Sequence, residues 1–130
     1  MRYNYNDGGR SKYFKGQVGD CVCRAVAIAT GRDYKEVYKE ISKIIGYTPR
    51  NSVKKKDTKK IMEHYGFTWV SCMRIGTGCT THLRENELPK GTIICNLSGH
   101  VVCVIDGVIN DNHDPSRNGS RCVYGYWEVR

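Results

Sequence analysis

Three residues in this sequence have the types and placement that nucleophilic acyl chemistry requires: Cys21, His100 and Asp111. Cys21 follows Gly16-Gln17-Val18-Gly19-Asp20 and opens a run in which Val22, Ala25, Val26 and Ala29 keep the i, i+3, i+4, i+7 spacing of a buried helical face. The thiol therefore belongs in the first turn of a helix. Unpaired backbone N–H groups and the positive end of the helix dipole there favour a thiolate over a thiol. Such a nucleophile needs a base held on a rigid element. Of the four histidines, His64 ends a short helical pattern, His82 lies in a Thr-Thr-His-Leu loop and His113 follows a polar Asp-Asn pair. His100 differs, because Ser98-Gly99-His100 opens the apolar strand of residues 101–105.

The third member follows from a turn. Asp106-Gly107, between Ile105 and Val108, has the composition of a type I′ hairpin, which needs positive φ at both central residues. Counting outward pairs Ile105 with Val108, Val104 with Ile109, Cys103 with Asn110, Val102 with Asp111 and His100 with His113. The strand period of two then puts His100, Val102, Asp111 and His113 on one face. Asp111 becomes the diagonal neighbour that orients the imidazole and stabilises its cation. Asn112 is expected to face away, and Asp114 replaces Asp111 only if a bulge shifts the register.

The elements that must hold these groups are legible in outline. Asp20 is placed to cap the helix over Cys21–Thr30, and Gly31 to end it. Asp33, with Glu36 three residues on, caps a second helix with a stripe of Tyr34, Val37, Tyr38, Ile41, Ile44 and Ile45. A loop through Gly46, Pro49 and Asn51 leads to a third helix over 58–65, capped by Asp57 and stopped by Gly66. The second half reads as strands over 67–73, 92–96, 101–105, 122–124 and 126–129, joined by the hairpin. Helices first and an antiparallel sheet afterwards make an α+β fold in one domain spanning 1–130.

With 130 residues and a net charge of +8, the chain can bury a core unaided and favours anionic partners. Seven cysteines without the spacing of a disulfide framework imply free thiols and a soluble, cytoplasmic protein. No leader-like or membrane-spanning run is expected to tie it to a membrane. Zinc sites favour ligand pairs two to four residues apart. Only Cys21 and Cys23 are that close, and a helix turns them about 200° apart, so no metal or cofactor is implied. Cys95 and Cys103 alternate with Val and Ile as core thiols, whereas Cys72, Cys79 and Cys122 have no assignable role.

The order Gln17, Cys21, His100, Asp111 resembles that of the papain-like cysteine peptidases. The stretch Gly99-His100-Val101-Val102-Cys103-Val104-Ile105-Asp106-Gly107, with Asp111 and Asp114-Pro115, is similar to the bacteriocin-leader-processing peptidases and their phage-encoded relatives. Asp20-Cys21-Val22-Cys23-Arg24-Ala25 and Glu87-Leu88-Pro89-Lys90-Gly91 also resemble segments of small phage proteins. The resemblance, over about residues 15–130, implies a papain-like fold and a hydrolase of phage or bacterial origin acting on a protein or peptide. It assigns Cys21 as nucleophile, His100 as base, Asp111 as orienting acid and Gln17 as the oxyanion-hole amide. Gln17 stands closer to the cysteine than in the papain pattern, which leaves Lys15 or a backbone amide as alternative donors.

The charge is concentrated. Residues 32–60 hold ten basic and four acidic side chains, on a stretch expected to lie apart from the cysteine. This face suits an anionic protein or nonspecific nucleic-acid contact. It also carries the alternative to an enzyme, a binding module that keeps the fold without the reaction. No motif for sequence-specific nucleic-acid readout accompanies it.

Overall fold

Helix α1 covers Cys21–Thr30 and α2 covers Tyr34–Ile45 in the computed structural model, which describes residues 1–16 and 18–129. Their apolar stripes are the reason: Val22, Ala25 and Val26 from α1 and Tyr34, Val37 and Ile41 from α2 are all buried. Asp33 caps α2 by accepting the amide of Glu36, and Gly31 and Gly46 end the two helices in left-handed conformation. Helix α3 runs over Lys55–His64 and buries Ile61 and Met62.

The sheet has six strands: β1 (Arg2–Tyr5), β2 (Thr68–Ser71), β3 (Thr92–Leu97), β4 (His100–Ile105), β5 (Val108–Asp111) and β6 (Gly125–Glu128). Their order is β1-β5-β4-β3-β6-β2. The fold is α+β, with three helices packed on a mostly antiparallel sheet. The hairpin forms as expected: Asp106 and Gly107 have φ of 48° and 78°, and Ile105, Val104 and Cys103 pair with Val108, Ile109 and Asn110. One apolar cluster joins the helices to Ile94, Val101, Cys103 and Trp127. A second, of Leu83, Ile93, Cys95, Leu97, Val102, Val104, Ile109 and Val123, follows the alternate residues of the same strands.

Several expectations are corrected. The sheet is not wholly antiparallel, because β1 pairs parallel with β5. Helix α3 begins three residues early, and Asp57 does not cap it; its carboxylate is buried and accepts the Tyr47 hydroxyl at 2.7 Å. Residues 122–124 form no strand but a single bridge between Cys122 and His82. Cys79 and Cys122 are not free thiols: they form a disulfide with Cα atoms 5.9 Å apart, leaving Cys21, Cys23, Cys72, Cys95 and Cys103 free. Among the described residues, no helix is long and apolar enough to cross a membrane.

Candidate active site

Cys21 is the first residue of α1, His100 the first of β4 and Asp111 the last of β5. The packing of α1 across these strands brings the three ends together. His100 Nε2 lies 2.7 Å from Asp111 Oδ2, which leaves Nδ1 as the ring nitrogen available to Cys21. Cys21 and His100 line the same cleft, and His100 and the backbone N–H of Val101 both act to favour the Cys21 thiolate. The other oxygen, Asp111 Oδ1, accepts the amide of Asn112 at 2.7 Å and Arg24 Nη2 at 3.3 Å.

The expected common face for His100, Val102 and Asp111 does not hold throughout. Val102 packs in the second apolar cluster, whereas His100 and Asp111 meet beside α1. Ladder pairing between β4 and β5 ends at Cys103 and Asn110, and His100 and Asp111 are the terminal residues of their strands. His113 is likewise no ladder partner of His100, although their ring centroids are 5.1 Å apart. Asn112 was expected to face away but lines the cleft with His113. Asp114 accepts the Ser116 amide at 2.9 Å, and it is Asp111 that His100 engages. Gln17 lies outside the described residues.

The electrostatics separate Cys21 from the other thiols. Burial works against its thiolate, but His100, the Val101 amide and Arg24 outweigh burial and lower its pKa. At Cys23 and Cys103 burial dominates instead, aided by Asp20 at the first and Asp111 at the second, and both are pushed up to about 12. Burial disfavours the His100 cation too, yet Asp111 and Cys21 raise its pKa to about 9. Asp111 is held below the carboxylate range, since His100 and Arg24 overcome the cost of its burial. The arrangement stabilises a thiolate–imidazolium pair.

A charge network behind the thiolate was not anticipated in the sequence. Asp20, 1% exposed, accepts Arg24 Nη1 and the Tyr34 hydroxyl and pairs with Arg10 Nε at 3.0 Å. This is why it does not cap α1 with its side chain. Arg24 links Asp20 to Asp111. Arg10 donates to the carbonyls of Lys15 and Gly16, tying down the segment that leads to Cys21. Three cations (Arg10, Arg24, His100) thus face three anions (Asp20, Asp111, the Cys21 thiolate). The i, i+4 spacing of Asp20 and Arg24 was the available signal.

The basic stretch is not apart from the cysteine, contrary to expectation. Gly19 accepts the Ser52 amide at 2.8 Å, and a Cβ on Gly19 would meet that nitrogen at 3.3 Å. This close approach brings the segment leading into α3 beside Cys21. One cleft of about 980 Å³ is lined by Cys21 and His100 together with Lys54, Lys55 and Lys59. Trp69 and Trp127 line it as well.

His100, Asp111 and His113 place potential ligand atoms within 4.8 Å of one another. Asp111 is already engaged by Arg24 at 3.3 Å and by His100 Nε2 at 2.7 Å. The cluster therefore suits the ion pair better than a metal.

The coupling has a consequence for stability. His100 is raised from 6.5 to about 9, so its contribution is complete below pH 6.5 and is lost as pH rises through about 9. Cys21 is lowered from 9.0, so its contribution is complete above pH 9.0 and is lost as pH falls through its folded value. Between these limits the two slopes oppose each other. In Cys21→Ala only the His100 slope remains, with Asp111 still raising it. Urea midpoints of this variant are expected to fall more steeply than those of the native chain as pH rises from 6.5 toward 9. Parallel curves would show that the two groups do not share a proton.

Compared with protein-family models, with curated proteins and with solved structures, the chain matches none of them.

Proposed function

We propose that this chain is a papain-like cysteine hydrolase, most simply a peptidase, with Cys21 as nucleophile, His100 as acid and base and Asp111 as the group that orients His100. The observation that carries this reading is the convergence of Cys21, His100 and buried Asp111 at the ends of α1, β4 and β5, with His100 Nε2 2.7 Å from Asp111 Oδ2 and Cys21 and His100 lining one cleft. The Cys21 thiolate attacks the carbonyl carbon, and the electron pair moves to oxygen. The backbone N–H of Cys21 and Gln17 are the proposed donors to that oxyanion. The tetrahedral intermediate collapses as His100 gives its proton to the leaving amine, forming a thioester. His100, now neutral, takes a proton from water as the water attacks the thioester. The acid product departs and the thiolate–imidazolium pair returns.

A binding module without catalysis would account for the basic face. It gives no reason to keep two buried carboxylates, Asp20 and Asp111, and three cations in register behind one thiol, an arrangement that costs desolvation energy.

The test is acylation with p-nitrophenyl acetate, followed by mass spectrometry of each cysteine. Cys21 is expected to acylate faster than Cys72, a free thiol of the same intermediate burial, and to release acetate on a second, slower phase. Acylation of Cys21 at the Cys72 rate would overturn the proposal.

A further inference from the structure

We infer that the cleft selects acidic polypeptide segments, with carboxylate side chains of the substrate lying against Lys54, Lys55 and Lys59. This inference rests on the hydrolase reading and adds the substrate class. The three lysines are exposed and line the same cleft as Cys21 and His100. Among the described residues, none of them is in an ion pair. The nearby acids are committed elsewhere: Asp57 is buried under the Tyr47 hydroxyl, and Glu36 and Glu40 pair with Arg32 on α2. Glu63 is the acidic residue found in the cleft lining, against three lysines, Arg24 and two histidines.

The lining also carries apolar surface that a small anion would not use. Phe67, Trp69, Val101 and Trp127 line the same cleft as the lysines, and Trp69 remains 44% exposed. An extended peptide meets both surfaces at once, its apolar side chains on the tryptophans and its carboxylates on the ammonium groups. Nucleic acid would satisfy the charge, but its phosphodiesters offer no carbonyl to the thiolate at the end of the cleft. Exposed lysines raise the local concentration of an oppositely charged substrate, and salt weakens the effect.

The test uses two irreversible probes of one length, acetyl-Asp-Glu-Asp-Gly chloromethyl ketone and acetyl-Asn-Gln-Asn-Gly chloromethyl ketone. Each is read as the rate of alkylation at Cys21 relative to Cys72. In the native chain at low salt the acidic probe is expected to label Cys21 about tenfold faster than the neutral one. That ratio should fall toward one at high salt and in a Lys54→Gln, Lys55→Gln, Lys59→Gln triple variant. It should persist in the matching triple Lys→Arg variant, which keeps the charge and guards against a folding defect. Equal labelling of Cys21 by both probes, each still faster than Cys72, would overturn the substrate class and leave the hydrolase reading intact. Loss of the Cys21 advantage with both probes would overturn both. A single-stranded oligonucleotide that blocks labelling where poly-glutamate does not would assign the basic wall to nucleic acid and overturn this inference.

Discussion

His100→Ala is expected to slow acylation of Cys21 by roughly 10²–10⁴-fold, the range that a positioned acid–base group contributes. Without the imidazolium, burial is the dominant influence on the thiol and pushes its pKa above, rather than below, its ordinary 9.0. The Val101 amide and Arg24 remain but lack the directional charge of His100. The pH profile carries the sign. In the native chain, reaction with amide substrates should rise as the Cys21 thiolate forms, below 9.0, and fall again near 9 as His100 loses the proton the leaving amine needs. In His100→Ala the descending limb should vanish and the ascending limb should move to alkaline pH. Asp111→Asn should produce a smaller loss, because the amide can still orient the ring while failing to support its charge. An unaltered acylation rate in His100→Ala, measured on folded protein, would remove the base from the account.

Asp20→Ala is expected to cost about 3–5 kcal/mol of unfolding free energy, the range for removing one partner from a buried ionic cluster. Arg10, Arg24 and Tyr34 all direct polar atoms at this carboxylate, and all three are buried. Its removal leaves two buried guanidinium groups without their shared anion. Asp20→Asn should cost less, since it retains acceptor capacity. Tyr34→Phe should cost only about 1–3 kcal/mol, the desolvation range for one lost hydrogen bond. Urea denaturation measures all three. The same variants test a link to function, because Arg10 holds the Lys15 and Gly16 carbonyls before Cys21 and Arg24 reaches Asp111. Asp20→Ala should therefore lower Cys21 reactivity at temperatures where the chain is still folded. A loss below about 1 kcal/mol would mean that the cluster is not the electrostatic anchor its geometry describes.

What the sequence made legible was local. Helix α1 has the expected bounds because its apolar spacing and the glycine after it are both short-range signals. The Asp106-Gly107 turn set the β4–β5 register, and that register brought Asp111 to His100 without any long-range information. The misses depend on contacts between distant segments. Strand β1 has four exposed residues and no alternation to announce it. Its pairing comes from β5 and from polar contacts such as Asn4 Nδ2 to Asn110 Oδ1 at 2.9 Å. Asp20 and Asp57 both looked like helix caps, and both are claimed by tyrosine hydroxyls far along the chain or across a loop. The lysines of α3 read as a separate solvated face, because nothing local shows that Ser52 docks on Gly19.

The central claim is that one thiol is held as a thiolate by His100, and the rate of iodoacetamide alkylation of Cys21 as a function of pH measures this directly. The rate is expected to hold as pH falls through 9.0 and to drop only at the lowered pKa of Cys21. Cys72, followed in the same samples, supplies the comparison. A Cys21 rate that falls about tenfold for each pH unit below 9.0, as for a simple unperturbed thiol, would contradict the account.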